Sequence, residues 1–174
     1  MRGGDGIVVG GLDRPGSRVH LEGVQLRGGA TNLQLDATGA AVIDAVDIGH
    51  ADATVASVVA RGAGAAVIHS GASSVNRLSY RVADGASLLV RDVWYEGSAD
   101  DGFARVDAGG RLTLQGARAA SPEGATPPAF LVDTAANGFV LLTTQYDDRL
   151  VVRGAGGPAE ILGIANLRSE STRP

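Results

Sequence analysis

The chain of 174 residues contains no cysteine and no lysine. Without cysteine it can form no disulfide, no thiol nucleophile and no Cys-ligated zinc site. Its 15 arginines stand against 19 acidic residues, for a formal charge of −4. This balance argues against nucleic acid as a partner, because such a surface needs a net basic face. No stretch approaches the roughly 18 apolar residues that a bilayer-spanning helix requires, so we expect no membrane partner.

Aromatic residues are also scarce, at three Phe, three Tyr and one Trp. Val, Leu, Ile and Ala must therefore fill most of the interior. Glycine is abundant, with 26 residues or about 15% of the chain, twice the usual usage of about 7%. The first residues, 1–6, contain no apolar signal-peptide core and resemble the middle of a domain. We therefore expect this sequence to be the later part of a longer protein.

A loose repeat runs along the chain. Each copy has an apolar run, a turn that contains Gly and usually Asp, and a second apolar run. The repeat glycines lie at positions 39, 64, 85, 110 and 138, which gives spacings of 25, 21, 25 and 28 residues. A period in the twenties is typical of stacked-repeat folds. The five copies are Leu33–Ile43, Val58–Ile68, Tyr80–Val90, Ala104–Leu114 and Phe130–Leu142.

The runs have the character of strands rather than helices. Gly or Asp interrupts them every five to eight residues, whereas a helix needs ten or more residues of 3.6-residue periodicity. A β-sandwich does not require the same strand-turn-strand pattern to recur along the chain. A parallel β-helix does, because each repeat forms one coil that stacks on the preceding coil. We therefore predict an all-β, right-handed parallel β-helix (solenoid) of about six to seven coils. Residues 1–168 would form this single domain and residues 169–174 a polar tail.

Two phrases, Leu88–Gly97 and Ala159–Leu167, resemble the late coils of the pectate-lyase (pectin-lyase-like) superfamily. The resemblance implies a right-handed parallel β-helix and a secreted or cell-surface location. Members of the superfamily include polysaccharide lyases, glycoside hydrolases, phage tailspikes and non-catalytic adhesins, so it implies fold more strongly than activity. The chain lacks the Gly-His-Gly motif and the lysine of the polygalacturonase-like members. Their catalytic set therefore cannot be transferred to it.

Trp94 is the strongest candidate for a ligand contact. If Val93 and Tyr95 point inward, strand alternation turns Trp94 and Glu96 outward. A flat exposed indole is a natural stacking platform for a sugar ring. The repeat alignment puts Arg118 beside Trp94, where it could instead cover the ring in a cation–π pair. The candidate substrate-binding residues are Trp94, Arg91, Arg118 and Tyr146.

Glu96, Asp100 and Asp101 are the candidate catalytic acids. Glycoside hydrolysis uses two carboxyl groups about 5 Å apart for retention and about 6.5–9.5 Å apart for inversion. Neighbouring coils lie about 4.8 Å apart, so acids one or two coils apart can satisfy either geometry. The alternative is that these three residues are solvated loop charges.

The sequence predicts no metal and no cofactor. Its histidines, His20, His50 and His69, are 30 and 19 residues apart, which matches no metal-binding motif. Four acidic residues precede the repeat turns and either cap backbone N–H groups there or form a ladder of metal ligands. These four are Asp36, Asp84, Asp107 and Asp133.

The leading functional hypothesis is a module that binds or degrades a polysaccharide, as a hydrolase or a lyase would. The alternative is a non-catalytic segment of an adhesin or of a phage tailspike. A third hypothesis is a homo-oligomer that forms through coil ends or sheet faces, since uncovered strand edges favour association.

Overall fold

The chain folds into seventeen β-strands that wind as a solenoid. The structure, a computed structural model, describes residues 6–12, 14, 16–37, 42–119, 130–135, 137–142, 150–154 and 160–163. Within these ranges there is no helix, and so none that could cross a membrane. The strands are β1 (Ile7–Leu12), β2 (Arg18–Glu22), β3 (Gln25–Arg27), β4 (Leu33–Ala37), β5 (Val42–Ala51), β6 (Val58–Arg61), β7 (Ala65–Ser74), β8 (Asn76–Val82), β9 (Ser87–Arg91), β10 (Trp94–Tyr95), β11 (Ser98–Val106), β12 (Arg111–Gln115), β13 (Arg118–Ala119), β14 (Phe130–Thr134), β15 (Phe139–Leu142), β16 (Leu150–Gly154) and β17 (Glu160–Gly163).

Two parallel sheets run the length of the solenoid. The first sheet has seven strands in the order β1-β4-β6-β8-β11-β14-β16, and the second holds the other ten. Every strand pair is parallel. Val42 stacks on Ala65, and Ala65 stacks on Ser87 in the next coil. The predicted all-β parallel solenoid is confirmed.

The solenoid has about five turns, slightly fewer than the six to seven predicted. Five turns contain three strand segments, one in the first sheet and two in the second, and they end with β11, β12 and β13. The coils of β14–β15 and β16–β17 have only two described segments each. Dividing the chain length by the repeat therefore overestimates the number of full turns. The right-handed sense stays a prediction, and the predicted tail, 169–174, lies outside the described residues.

The two segments of the second sheet meet at a corner where the backbone is left-handed. Five stacked residues occupy this corner, and all are Gly, Asp or Ser. Gly and Asp tolerate a positive φ better than most other residues, which explains why they occupy four of the five positions. The corner residues are Gly23, Asp47, Ser70, Asp92 and Gly116, with φ between 53° and 66°.

The core lies between the two sheets and is mostly aliphatic, as the composition predicts. Leu35, Ile43 and Leu112 are fully buried. Three of the few aromatic rings also lie inside, in one edge-to-face stack. The Phe103 ring lies 5.1 Å from that of Tyr80 and 4.9 Å from that of Tyr95, centroid to centroid. Such pairs stabilise a core by about 0.5–1.5 kcal/mol each beyond their burial.

Candidate functional site

The second segment of the second sheet presents a face that we call the groove face. It consists of the outward residues of β3, the ends of β5 and β7, β10 and β13. Side chains alternate along each strand, so the pairing places outward residues of successive coils in rows. One row is Gln25, Gly49, Ala72, Trp94 and Arg118.

A groove of about 360 Å³ lies on this face. On β5 and β7 it is lined by small residues, namely Gly49, Ala51, Ala72 and Ser74, and the Gln25 amide lies over Gly49, where it would collide with any Cβ. Longer side chains lie on either side, because Gln25 and Arg27 line it on β3 and Glu96 lines it beyond β10. The groove therefore lies over Ala51, Ala72 and Ser74, whose outward side chains are small and form its floor, while the Gln25 amide covers Gly49.

Trp94 borders this floor, since its partner in the parallel ladder is Ala72. Its predicted orientation agrees with the burial pattern. Val93 and Tyr95 are each 1% exposed, whereas Trp94 is 48% exposed. An exposed indole beside a shallow floor can stack on a flat apolar surface.

Arg118 lies next to Trp94 on the side away from the groove, in the register that the repeat predicts. Within the described ranges, the one cation–π contact is formed by a different arginine, Arg111, whose guanidinium carbon lies 5.7 Å from the Phe139 ring centroid. The described contacts of Trp94 thus give no support to the alternative in which Arg118 covers its ring.

Glu96 is exposed and is held by its backbone, whose N–H donates to the Ser73 carbonyl at 2.9 Å. Its carboxylate has no hydrogen-bond or ion-pair partner among the described residues. Asp100 and Asp101 follow the Gly97 turn and belong to β11 in the first sheet. Their side chains lie outside what the structure describes, so the predicted grouping with Glu96 stays a prediction.

Arg91 lies on the other side of the Asp92 corner, on the neighbouring segment of the second sheet. One of its guanidinium nitrogens, Nη2, lies 3.1 Å from both ring nitrogens of His69. Its Nε lies 3.5 Å from an Asp92 carboxylate oxygen without forming a hydrogen bond. Arg91 is thus engaged in a cluster away from Trp94, and its predicted substrate role stays untested.

Of the remaining predicted residues, Tyr146 lies outside the described residues. His20 is exposed and contacts Asp44 at 3.2 Å and Glu22 at 3.5 Å. In the part of the chain that the structure describes, no group of three His, Asp or Glu side chains could hold a metal ion. Asp107, one of the acids expected to cap its own turn, instead pairs with Arg81 of the preceding coil at 2.8 Å.

A larger groove of about 510 Å³ lies on the first sheet, lined by residues of β11, β14 and the turns after them. Arg105, Asp107 and Asp133 contribute charge to its lining. It contains none of the predicted catalytic or substrate-binding residues, and Asp107 is paired with Arg81. We therefore place the candidate site on the groove face.

Inside the solenoid, a polar network that sequence reasoning missed surrounds His50, which is 2% exposed. His50 Nδ1 lies 2.7 Å from Ser57 Oγ, and its Nε2 lies 3.0 Å from the Tyr80 hydroxyl. The Asn32 side chain donates to Ser57 Oγ at 2.9 Å, and the Asn76 side chain donates to the His50 carbonyl at 3.1 Å. Buried polar groups are costly unless hydrogen-bonded, and here they are bonded across successive coils.

The network fixes the histidine tautomer. The Asn76 amide, which can only donate through its nitrogen, lies 3.4 Å from His50 Nδ1, and the Ser57 hydroxyl at 2.7 Å can donate to the same atom. Nδ1 is then an acceptor, and Nε2 carries the proton that it donates to Tyr80. Burial lowers the pKa of His50 to about 3 and raises the pKa of Tyr80. The pair is buried, and its hydrogen bond joins a strand of each sheet inside the solenoid.

The chain was compared with known proteins. It matches no protein-family model, no curated protein and no solved structure. The parallel solenoid and the groove face are therefore the basis for any functional conclusion.

Proposed function

We propose that the groove face binds a polysaccharide, with Trp94 as the stacking platform. One observation carries this proposal: a 48% exposed indole stands beside a floor of Ala and Ser residues. Tryptophan is enriched where binding energy is concentrated, and a ligand site needs a concave surface with a few polar groups. The amide of Gln25, the hydroxyl of Ser74 and the carboxylate of Glu96 would supply those polar contacts.

The width of the groove favours a narrow ligand. β3 and β10 are three strand spacings apart, about 14 Å between backbones, and the side chains of Gln25 and Trp94 reduce that width. An α-helix with its side chains is about 10–12 Å across and would not reach the floor. A single extended glycan chain fits better.

The charge of the lining favours a neutral glycan. Arg27 is paired with Asp52 at 3.0 Å, which leaves the carboxylate of Glu96 as the unpaired charge among the described lining residues. A polyuronate would bring like charge against it, and like charges brought together at an interface are costly. We therefore expect the ligand to be a neutral rather than an acidic polysaccharide.

The test is a panel of neutral and acidic polysaccharides immobilised for binding measurements. We expect the wild type to bind neutral chains. Trp94→Ala, which removes the ring, and Ala72→Leu, which fills the floor of the groove, should each bind at least tenfold more weakly, a loss of about 1.4 kcal/mol. Trp94→Phe should keep part of the affinity because it keeps a ring. Val8→Ala removes apolar surface from the first sheet, where Val8 is 55% exposed, and should change nothing. Unchanged binding in Trp94→Ala would refute the platform.

Cleavage of the bound glycan is the second candidate, and the position of Glu96 in the groove favours it. Loss of a general acid typically costs a factor of about 10²–10⁴ in rate. If the wild-type protein releases reducing or unsaturated ends, Glu96→Gln should slow release by at least a hundredfold and leave binding in place. Full activity in both Glu96→Gln and Asp101→Asn would show that the acid assignment is wrong. Binding without release would leave a non-catalytic module.

Membership of the pectin-lyase-like superfamily is part of the same proposal. The parallel solenoid supports it at the level of fold, and the phrase Leu88–Gly97, which contains Trp94, carries the resemblance. A glycan ligand would also agree with a secreted or cell-surface location. The rival, a spacer segment of an adhesin or tailspike, predicts no glycan affinity at all.

A further inference from the structure

The turn that leads from the groove face to the first sheet has a left-handed backbone in four stacked coils. Hydrogen bonds between coils place these positions one above the next, since the N–H of Val75 donates to the Gly97 carbonyl at 3.0 Å. The four positions are Gly28, Asp52, Val75 and Gly97, with φ of 76°, 58°, 49° and 103°. Gly and Asp tolerate a positive φ, so Val75 is the exception in this row.

Val75 is unfavourable in this row for two reasons. A β-branched residue with a positive φ is a genuine outlier, because its branched side chain crowds the backbone. The side chain is also 56% exposed, and it belongs to neither of the described core clusters. Core packing therefore does not explain a valine here. Backbone outliers that packing does not explain are concentrated at ligand sites.

Val75 lies at one end of the groove. It follows Ser74 in the chain, and its N–H is bonded to the residue that follows Glu96 in the next coil. Ser74 and Glu96 both line the groove. The small residues of β7 that form the floor, Ala72 and Ser74, lead directly to Val75. A ligand chain that lies along this strand therefore passes Val75 where it leaves the groove.

The distance between Trp94 and Val75 sets the length of a ligand that contacts both. Trp94 pairs with Ala72 on the neighbouring strand, and Val75 lies three residues further along the chain. One strand spacing of about 4.8 Å and three residues at about 3.3 Å place the two backbones about 11 Å apart. A single sugar ring is shorter than this distance. A ligand that contacts both side chains must therefore contain more than one sugar.

We propose that Val75 is a second apolar contact for the glycan, and that the groove takes a chain segment rather than a single sugar. This second contact rests on the proposed glycan function and extends it by a further subsite. The C–H face of one sugar stacks on the Trp94 indole, and that of a later sugar covers the Val75 side chain. Covering an exposed apolar side chain removes it from water, which contributes free energy of binding.

A purely structural role for Val75 makes a different prediction. If Val75 served the fold, its replacement would lower the free energy of unfolding, and any loss of binding would follow from that loss. In the proposed role, Val75→Asn relieves the backbone strain, since Asn tolerates a positive φ, and it removes the apolar contact. Binding should therefore become weaker while stability rises. A structural role would not change the two quantities in opposite directions.

The test is calorimetric titration with three soluble neutral polysaccharides, namely a mixed-linkage β-glucan, a xylan and a galactomannan. Val75→Asn should weaken binding by at least about threefold, and its midpoint in urea unfolding should be higher than that of the wild type. Val75→Ile keeps a β-branched apolar side chain and should bind as the wild type does. The matching monosaccharide, used as a competitor, should have the same inhibition constant for the wild type and Val75→Asn, because it is too short to reach Val75 from Trp94.

Val55→Asn is the matched control. Val55 is 53% exposed, and its N–H donates to the Ala30 carbonyl at 3.1 Å. Neither of these two residues lines the groove, so Val55→Asn should leave binding unchanged.

The outcomes separate this proposal from the glycan function itself. If Trp94→Ala loses binding but Val75→Asn does not, the second contact is wrong and the glycan function stands. Weaker binding together with lower stability in Val75→Asn, or an equal loss in Val75→Ile, would also overturn the second contact. A higher inhibition constant of the monosaccharide in Val75→Asn would overturn the assignment of Trp94 and Val75 to different sugars. A wild type that binds none of the three polysaccharides would contradict both proposals.

Discussion

His50 and Tyr80 meet inside the solenoid, with His50 Nε2 3.0 Å from the Tyr80 hydroxyl and the two rings edge to face at 5.2 Å. They belong to different sheets and to different coils. Their bond, with that of His50 to Ser57, links β5, β8 and the residue before β6 in the buried interior. A charged imidazolium in this place would lose the hydrogen bond that Nδ1 accepts from Ser57.

Stability should therefore fall as the pH falls below the ordinary pKa of histidine. Above pH 6.5 both the folded and the unfolded chain carry a neutral His50. Below it only the unfolded chain takes up the proton, because the folded pKa is about 3. Each pH unit in this window then lowers the free energy of unfolding by up to about 1.4 kcal/mol. Urea unfolding at pH 7, 6 and 5 measures the slope, and His50→Gln should flatten it. A wild-type stability that is constant from pH 7 to 5 would contradict this prediction.

Gly71 and Gly85 offer a matched pair of substitutions. Both have positive φ, at 104° and 77°. A Cβ on Gly71 would collide with the backbone of Ile48 in the preceding coil, whereas one on Gly85 would meet nothing within 4 Å. Gly85→Ala should cost about 1–2 kcal/mol for the backbone conformation alone, and Gly71→Ala about 3 kcal/mol or more. Equal losses in urea unfolding would mean that the coils are not stacked as closely as described.

Val75 is a position where the native residue is unfavourable. It is 56% exposed and has φ of 49°, a conformation that strains a β-branched residue. Val75→Asn should raise the free energy of unfolding by about 0.5–1 kcal/mol, because Asn tolerates this region and no buried contact is lost. Val55→Asn is the control, since Val55 is similarly exposed but does not have a positive φ. A gain of the same size at Val55 would assign the effect to polarity instead of backbone strain.

The aromatic stack should contribute strongly to the free energy of unfolding, although it contains only three rings. Phe103 contacts both Tyr80 and Tyr95 edge to face and is fully buried. Phe103→Ala should therefore destabilise the chain by about 3–5 kcal/mol, as large-to-small core changes do. Thermal unfolding compared with Val132→Ala, a buried aliphatic change outside the stack, measures the difference. A loss no greater than that of Val132→Ala would show that the stack is not part of the core.

The sequence was enough to predict the solenoid, because its repeat reports stacking directly. It also predicted that Trp94 points outward, from strand alternation, and that Arg118 lies beside it, from the alignment of neighbouring repeats. The groove could not be predicted, because its lining depends on the stacking of Gly49 on Ala72. The coils vary in length, so the sequence does not show which residues stack at this place. The His50 network was hidden for another reason. A histidine between small residues has no periodic signature, and only the stacked coils bring Ser57 and Tyr80 to it.

Trp94 is the central residue of the proposed glycan site, and it is the only tryptophan in the chain. Its fluorescence therefore reports the groove face alone. Titration with a soluble neutral oligosaccharide should shift the emission to shorter wavelength, saturate, and protect the indole from acrylamide quenching. Emission and quenching that stay unchanged at saturating glycan, as judged by an independent binding measurement, would show that the ligand does not contact Trp94.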